Sequence, residues 1–242
     1  QASVEAGTDA RMVAKLSKYE DVWHNSEEVV AGFAKSSAVA IFNARAFTMA
    51  CASSLGPNGR AVARIVFVEC YLYEAIESAN TLAPYMIGER YLPGTFLKYN
   101  SNKGYVNRNA PDSEVAQAFS HFTYKVSGGK MIVLDLQGVH LDSSYRRRPH
   151  LIFTDSQVVS LDRSFGPGDL GAVGIAAFFQ THRCGRTCKA LGLDTAIPRV
   201  LTCSSAESSG TLPARSSSSC PDSATTLDLN LAAPPGLSAP PR

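Results

Sequence analysis

The chain has 242 residues, of which 18% are charged and 45% hydrophobic, and its formal net charge is +2. This balance is typical of one globular domain with a sizeable core, and it gives no reason to expect a nucleic acid or a membrane as partner. All 21 aromatic residues precede Cys203, whereas the last 39 residues contain 10 Ser and 6 Pro. We therefore expect a folded domain over residues 1–203 and a disordered tail over 204–242. The sequence shows neither a secretory leader nor a long apolar run, so a cytoplasmic location is expected.

The N-terminal part of the chain combines strand-like segments with one helix. Residues 10–15 predict a short strand that ends in Lys15, and residues 37–53 show the apolar spacing of a helix. The β-branched and aromatic residues of 61–73 and 84–92 predict further strands. This region is therefore expected to consist mostly of strands around one helix.

Helices and strands are also predicted in the second half of the chain. Residues 112–113 (Asp-Ser) are good N-cap residues for a helix over 113–127. Two short apolar strands follow, and each ends in a carboxylate, Asp135 and Asp155. The polar segment between them contains Arg146–Arg148 and is expected to form an exposed insertion.

Three candidate metal ligands lie within seven residues of one another: His182, Cys184 and Cys188. An imidazole and two thiolates at this spacing suit a tetrahedral Zn²⁺, which needs a fourth ligand. The sequence nominates His121, because no other histidine lies on an element that clearly packs near the last helix. A disulfide between the two cysteines, or two reduced spectator thiols, are the alternatives.

Polar residues at strand ends form a second candidate site. Asp135, Gln137 and Asp155 carry oxygen donors of the kind that hold Mg²⁺ against phosphate. A single Asp at a strand end more often begins a turn, which is the alternative here. Lys15 and Lys98 add cations on otherwise apolar strands, and such cations suit the phosphates of a nucleotide.

The segment Gly166-Pro-Gly168-Asp-Leu-Gly171 matches the pattern GxGxxG. It follows no long apolar strand, and no acidic residue stands about 20 positions further on in a βαβ unit, so we reject a dinucleotide site. The glycines are instead expected to allow a tight turn that approaches a ligand or peptide, before a helix that runs through Phe179.

Together these segments resemble the alpha-kinase family of atypical serine/threonine protein kinases. The resemblance rests on LPGTFLKYNSNKGYV (92–106), EVAQAFSHFTYKVSGGKMIVLDLQGV (114–139), TDSQVVS (154–160) and FGPGDLGAVGIAAFFQTHRCGRTC (165–188). It implies an α+β fold with two kinase-like lobes. The N-terminal lobe, about residues 1–92, would hold a mostly antiparallel sheet plus a helix. The mixed C-terminal lobe, about 93–195, would hold a structural zinc. Few residues precede Ala10, so the N-terminal lobe is expected to be truncated.

The resemblance also implies nucleotide-binding roles for single residues. Lys15 matches the strand lysine that contacts the ATP phosphates, and Glu89 matches the hinge residue that faces the adenine. Lys98 and Asn102 match further positions that contact the nucleotide.

Catalytic and metal-binding roles are implied in the same way. Asp135 matches the catalytic aspartate, and Gln137 and Asp155 match the Mg²⁺ ligands. The zinc set of the family matches His121, His182, Cys184 and Cys188. The loop that carries Gly166, Gly168 and Gly171 matches one that lies near the substrate.

The implied activity is the ATP- and Mg²⁺-dependent phosphorylation of Ser or Thr in a protein substrate. The alternative is a catalytically silent, zinc-stabilised module that binds a nucleotide or a partner. No Asp or Glu occurs between Val29 and Val68, so the helix that would offer Lys15 a carboxylate partner has none, and only Glu27 or Glu28 could substitute; the sequence leaves the acidic partner of Lys15 open.

Overall fold

The computed structural model describes residues 11–16, 26–56, 62–74, 84–142, 144 and 148–193, together with the backbone of 225–229. Helices and strands are mixed along the chain, as expected for an α+β fold. The helices are α1 (Glu27–Leu55), α2 (Ser113–Val126), α3 (Ala172–Thr181) and α4 (Arg186–Ala190). The strands are β1 (Met12–Leu16), β2 (Arg64–Phe67), β3 (Cys70–Glu74), β4 (Tyr85–Arg90), β5 (Phe96–Lys98), β6 (Met131–Leu134), β7 (Gln137–Leu141), β8 (His150–Thr154), β9 (Gln157–Ser160) and β10 (Thr225–Leu229).

The described strands form two four-stranded sheets and one two-stranded sheet. The first sheet has the order β10-β1-β4-β3 and is antiparallel throughout. The second has the order β2-β8-β7-β5, in which only the β2–β8 pair is parallel. Strands β6 and β9 pair with each other in an antiparallel hairpin. The described strands of the first sheet are thus antiparallel, as expected for the N-terminal part of the chain.

The strand predicted over residues 61–73 is two strands in two different sheets. The break falls at Val68 and Glu69, between β2 and β3. In β2, Ile65 and Phe67 are buried in the core beside β8, whereas β3 is half exposed and pairs with β4. Residue type predicts the extended backbone of both strands, but the partner of each strand depends on contacts that are distant in sequence.

Helix α1 begins ten residues before the predicted start at residue 37. Its N-cap is Ser26, whose hydroxyl accepts from the Val29 N–H at 3.5 Å, and Glu27 and Glu28 occupy the first turn. Acidic residues in the first turn stabilise a helix, because their negative charge lies next to the positive end of the helix dipole. The apolar spacing of 37–53 thus identified the later part of the helix and missed residues 27–36, although Val29 and Val30 are buried there.

Helix α2 confirms the prediction over residues 113–127, although its start differs from the expected cap. Asp112 makes no side-chain cap hydrogen bond and adopts a left-handed backbone with φ 54°. Its Oδ2 atom instead lies 2.9 Å from Nε2 of His140. Ten of the fourteen residues of α2 are buried, nine of them in the unbroken run 115–123, so this helix runs through the middle of the core.

The core is built largely from aromatic rings on elements far apart in sequence. Phe119 of α2 lies 5.6 Å from both Phe47 of α1 and Phe67 of β2, measured between ring centroids. Phe153 of β8 continues the cluster, 5.2 Å from the ring of Tyr99. These contacts fix α1 and α2 against the second sheet, whose strands carry several of the candidate site residues.

One described helix, α1, is long and apolar enough to cross a membrane by length and composition alone. The sequence prediction had found no such segment. The buried residues of α1 include the polar Ser36 and Asn43, and Phe47 is 1% exposed within the aromatic core. One side of this helix is therefore part of the folded core.

The segment 204–242, for which disorder is expected, contains one described element. Strand β10 pairs with β1 in antiparallel register, with Lys15 opposite Thr226. The disorder expected for the tail stays a prediction, because the remainder of the tail lies outside the described residues, as do Tyr145–Arg147 of the predicted insertion.

Candidate active site and metal centre

Strand register places three of the polar side chains in a row across the second sheet. Lys98 of β5 lies opposite Gln137 of β7, and Gln137 lies opposite Thr154 of β8. Residues directly opposite each other in antiparallel strands project from the same face of a sheet. The three side chains therefore form a polar row across neighbouring strands of the sheet.

Lys15 reaches this row from the first sheet. Its Nζ atom lies 2.6 Å from Oε2 of Glu89, 2.8 Å from Oγ1 of Thr154 and 2.7 Å from Oδ1 of Asp155. The Thr154 hydroxyl also donates to Glu89 in a short hydrogen bond. One ammonium group thus connects β1 and β4 of the first sheet with the end of β8 in the second.

The carboxylate partners of Lys15, which the sequence left open, are Glu89 and Asp155 and not the candidates Glu27 or Glu28. Those two residues lie in the exposed first turn of α1, whereas Glu89 is buried on β4 next to β1. The adenine-facing role that the resemblance implies for Glu89 stays a prediction. What the structure shows is its carboxylate bound to Lys15.

The electrostatics of this cluster keep the lysine charged. Burial acts to lower the pKa of Lys15, but the carboxylates of Asp155 and Glu89 outweigh burial, and the pKa is raised above its ordinary 10.5. Burial raises the pKa of Glu89 from 4.5, against the opposing effect of Lys15. A cation in this position can neutralise negative charge on a bound group.

The two strand-end aspartates share an unusual backbone conformation. Asp135 has φ 60° and Asp155 has φ 55°, and both follow directly after a strand. Left-handed backbone is uncommon outside glycine, although Asp and Asn tolerate it best. The Oδ1 atom of Asp135 lies 2.8 Å from Nζ of Lys98, so this carboxylate is paired with the polar row.

Asn102 links this site to the glycine-rich loop. Its Nδ2 donates to the carbonyl oxygen of Gly168 at 2.9 Å. Gly166 and Gly171 have φ 82° and 66°, values that glycine adopts without strain. A side chain at Gly168 would collide with the side chain of Gln157. The nucleotide contact expected for Asn102 stays a prediction, since the structure shows its amide holding the loop.

The residues expected to hold Mg²⁺ have suitable chemistry. Gln137 stands opposite Thr154, the residue before Asp155, so the amide and the carboxylate are near neighbours in the sheet. Mg²⁺ is bound by carboxylate and amide oxygens, with water or phosphate completing the shell. The Asp155 side chain is 40% exposed and only its Oδ1 is bonded to Lys15, so this pair of residues fits the ion.

The four candidate zinc ligands converge from α2, the end of α3 and the start of α4. His121 Nδ1 and His182 Nε2 are 3.1 Å apart, and both cysteine Sγ atoms lie 3.5–3.8 Å from these nitrogens. All four ligand atoms lie within 4.8 Å of one another. The separations match those between the corners of a tetrahedron with Zn–N of about 2.0 Å and Zn–S of about 2.3 Å.

The protonation states of the candidate ligands also suit a bound zinc ion. Burial lowers the pKa of His182 to about 4, with smaller effects from His121, Arg108 and Arg183, so its imidazole is neutral at pH 7. Burial raises the pKa of Cys188, and a coordinated zinc ion reverses this by stabilising the thiolate. No disulfide joins Cys184 and Cys188 in this structure, so the disulfide alternative is not present. The donor set therefore fits zinc.

Two further residues shape these sites and were not identified from the sequence. Thr154 hydrogen-bonds both Lys15 and Glu89, and only its position before Asp155 could have drawn attention to it. Glu114 of α2 accepts at 2.8 Å from both the backbone N–H and the hydroxyl of Thr187 in α4. This second contact holds α4 beside α2, next to the cluster of candidate zinc ligands.

Known proteins of similar sequence are kinases. The Alpha-kinase family matches residues 3–188 of the chain. Alpha-protein kinase 1 of Dictyostelium discoideum is 37% identical over 151 residues, which cover 62% of this chain and 10% of that protein. Eukaryotic elongation factor 2 kinase of Homo sapiens is 42% identical over 106 residues, which cover 43% of this chain and 13% of that protein.

Solved structures of similar fold come from the same group. The alpha-kinase domain of myosin-II heavy chain kinase A in complex with AMP-PNP has a TM-score of 0.59 and 32% identity, over 73% of this chain and 60% of that one. The AMP complex of the myosin heavy chain kinase A domain gives a TM-score of 0.56 over 70% and 61% of the two chains. The chain thus shares the α+β fold of these domains. It spans only 10–16% of the length of the curated relatives that it matches.

Proposed function

Because this chain belongs to the alpha-kinase family, we propose that it is a cytoplasmic protein kinase that transfers the γ-phosphate of ATP to Ser or Thr hydroxyls of protein substrates. The observation that supports this most directly is the position of Lys15, whose ammonium lies against two carboxylates beside the polar row of the second sheet. The nucleotides named in the complexes of the related domain agree with ATP as the phosphoryl donor.

The charges of the site suit phosphoryl transfer, which depends on positioning and on neutralising phosphate charge. Lys15 and Lys98 supply two cations for the phosphates of the nucleotide. Gln137 and Asp155 would hold Mg²⁺, which neutralises further phosphate charge when it is bound.

Asp135 is assigned the role of the base that acts on the acceptor hydroxyl. Its carboxylate accepts the hydroxyl proton while the hydroxyl oxygen bonds to the γ-phosphorus and the bond from phosphorus to the bridging oxygen of ADP breaks. Lys98 holds Oδ1 of Asp135 at 2.8 Å and so fixes the orientation of the carboxylate before substrate arrives. Two lobes would face this cluster, with the first sheet on the side of Lys15 and the second on the side of Asp135.

Zinc is assigned a structural role. His121, His182, Cys184 and Cys188 would all be bound to the ion, which leaves no open position for chemistry. The ion would connect α2 with the chain after α3. Its binding free energy would therefore add to the folding free energy of this region.

A transfer assay with radiolabelled ATP and a basic peptide that contains Ser and Thr tests the proposal. The unmodified chain is compared with Asp135→Ala and with Asp142→Ala, a control at an exposed carboxylate. We expect incorporation by the unmodified chain and by the control, and a loss of at least about a hundredfold in Asp135→Ala. Equal incorporation by all three proteins, or none by the unmodified chain, would favour the silent binding module.

A further inference from the structure

The glycine-rich loop, defined as Phe165–Gly171, is attached to the domain by one buried carboxylate. Asp169 is 5% exposed, and its Oδ1 accepts from the N–H of Ser160 at 2.8 Å and from that of Gly171 at 3.0 Å. Its Oδ2 lies 2.5 Å from the hydroxyl of Ser160 and 3.4 Å from the N–H of Phe165. One side chain thus binds both ends of the loop and the last residue of β9.

The middle of the same loop contacts two residues near the proposed active site. The carbonyl of Gly168 accepts from Asn102, and its α-carbon faces Gln157, which stands two residues after Asp155. The loop is therefore held to the last residue of β9 by Asp169, while its middle contacts Asn102 and the first residue of β9, Gln157.

We propose that Asp169 is a positioning residue, which holds the glycine-rich loop in a fixed shape as a binding wall for the protein acceptor. This inference rests on the proposed kinase function. A loop with several glycines loses much backbone entropy when it is ordered, and a binding surface that is already ordered does not incur that cost on binding. Hydrogen bonds to a buried carboxylate are among the stronger ones in proteins, so Asp169 can maintain this order.

The hydrogen bonds of Ser160 allow the positioning role of Asp169 to be tested separately from its negative charge. The Ser160 hydroxyl lies 2.5 Å from Oδ2 of Asp169 and 2.7 Å from Oδ1 of Asp162, yet it has only one proton to donate. An amide at position 169 would keep both Oδ1 bonds and donate its N–H to Ser160, whose proton would then go to Asp162. Asp169→Asn should therefore keep the bonds to Ser160 and Gly171 and lose only the 3.4 Å bond from the Phe165 N–H, whereas Asp169→Ala removes every one of these bonds.

Steady-state kinetics on the full chain test the positioning role. Asp169→Ala should raise KM for the acceptor peptide by about tenfold or more, with KM for ATP within about twofold of the unmodified chain. Asp169→Asn should restore the peptide KM, and Asp142→Ala serves as a control at an exposed aspartate. The proposal would be overturned if Asp169→Ala raised KM for ATP and KM for the peptide by similar factors. It would also be overturned if Asp169→Asn raised the peptide KM as much as Asp169→Ala does.

Hydrogen exchange tests the attachment of the loop without any need for transfer activity. In Asp169→Ala the amides of Ser160, Phe165 and Gly171 should exchange faster, and Asp169→Asn should retain the slow exchange of Ser160 and Gly171. Unchanged exchange in Asp169→Ala would overturn the inference even if the chain is an active kinase. Absence of transfer by an unmodified chain that keeps slow loop exchange would instead contradict the proposed function.

Discussion

The Nζ atom of Lys15 lies 2.6 Å from Oε2 of Glu89, on two strands that are hydrogen-bonded neighbours in the first sheet. Both side chains are largely buried, at 13% and 8% exposure. A buried ion pair of this kind orients its members more than it adds net stability, because desolvation offsets much of the attraction. Under the proposed function, Glu89 would therefore keep the ammonium of Lys15 in place for the phosphates of the nucleotide.

Replacing Lys15 should remove activity and stability together. Lys15→Met leaves Glu89 buried without its counter-ion, and breaking a buried pair costs about 3–5 kcal/mol of unfolding free energy. The double variant with Glu89→Gln should recover most of that stability, because the buried negative charge is gone, but none of the transfer activity. Urea unfolding and the radiolabel assay measure the two effects. Recovery of transfer in the double variant would contradict a role for the ammonium in phosphate binding.

The pH dependence of stability should also change when Glu89 is replaced. Burial raises the folded pKa of Glu89 above 4.5, so folding favours its protonated form. The corresponding stability is fully present below pH 4.5 and is lost as the pH rises through the folded pKa. The unfolding free energy of the unmodified chain, relative to Glu89→Gln, should therefore decline with pH above 4.5 and then level off. Urea titrations of both proteins at matched pH values measure this difference, and a difference that rises with pH would show the opposite shift.

Removal of a zinc ligand should lower both the metal content and the stability. Cys188→Ser is expected to reduce bound zinc from about one ion per chain to well below that, and to lower Tm, because metal binding contributes to folding. Cys70→Ser is the matched control, since Cys70 lies on β3 and outside the ligand cluster. Elemental analysis and thermal unfolding provide the readouts. Equal zinc content in the two variants would rule out the proposed site.

The β7–β8 pairing should depend on the absence of a side chain at Gly138. Its φ is 154°, and an added Cβ would collide with the carbonyl oxygen of Ile152 on β8. Gly138→Ala should therefore destabilise the chain by about 1–3 kcal/mol more than Gly128→Ala. Gly128 also has a positive φ, 66°, but faces open space. Urea unfolding of both variants measures the difference, and equal losses would show that backbone strain alone accounts for the effect.

Local patterns accounted for most elements and for one complete site. The apolar spacing of 113–127 predicted α2, and the segment HRCGRTC together with His121 predicted the four clustered ligands. These succeed because helical periodicity and ligand spacing are properties of neighbouring residues. The break of 61–73 into two strands was missed, because β2 and β3 have similar composition and differ only in their partners.

The sequence by itself determined which family this chain belongs to, the types of most elements and the residue types available for chemistry. Only the tertiary structure decided that Glu89 and Asp155, rather than Glu27 or Glu28, pair with Lys15. It also decided that Asp169 holds both ends of the glycine-rich loop. The physical reason is that an ion pair or a hydrogen bond depends on distances set by strand register and packing. Glu89 is 74 residues from Lys15 along the chain, and pairing of β1 with β4 brings them together.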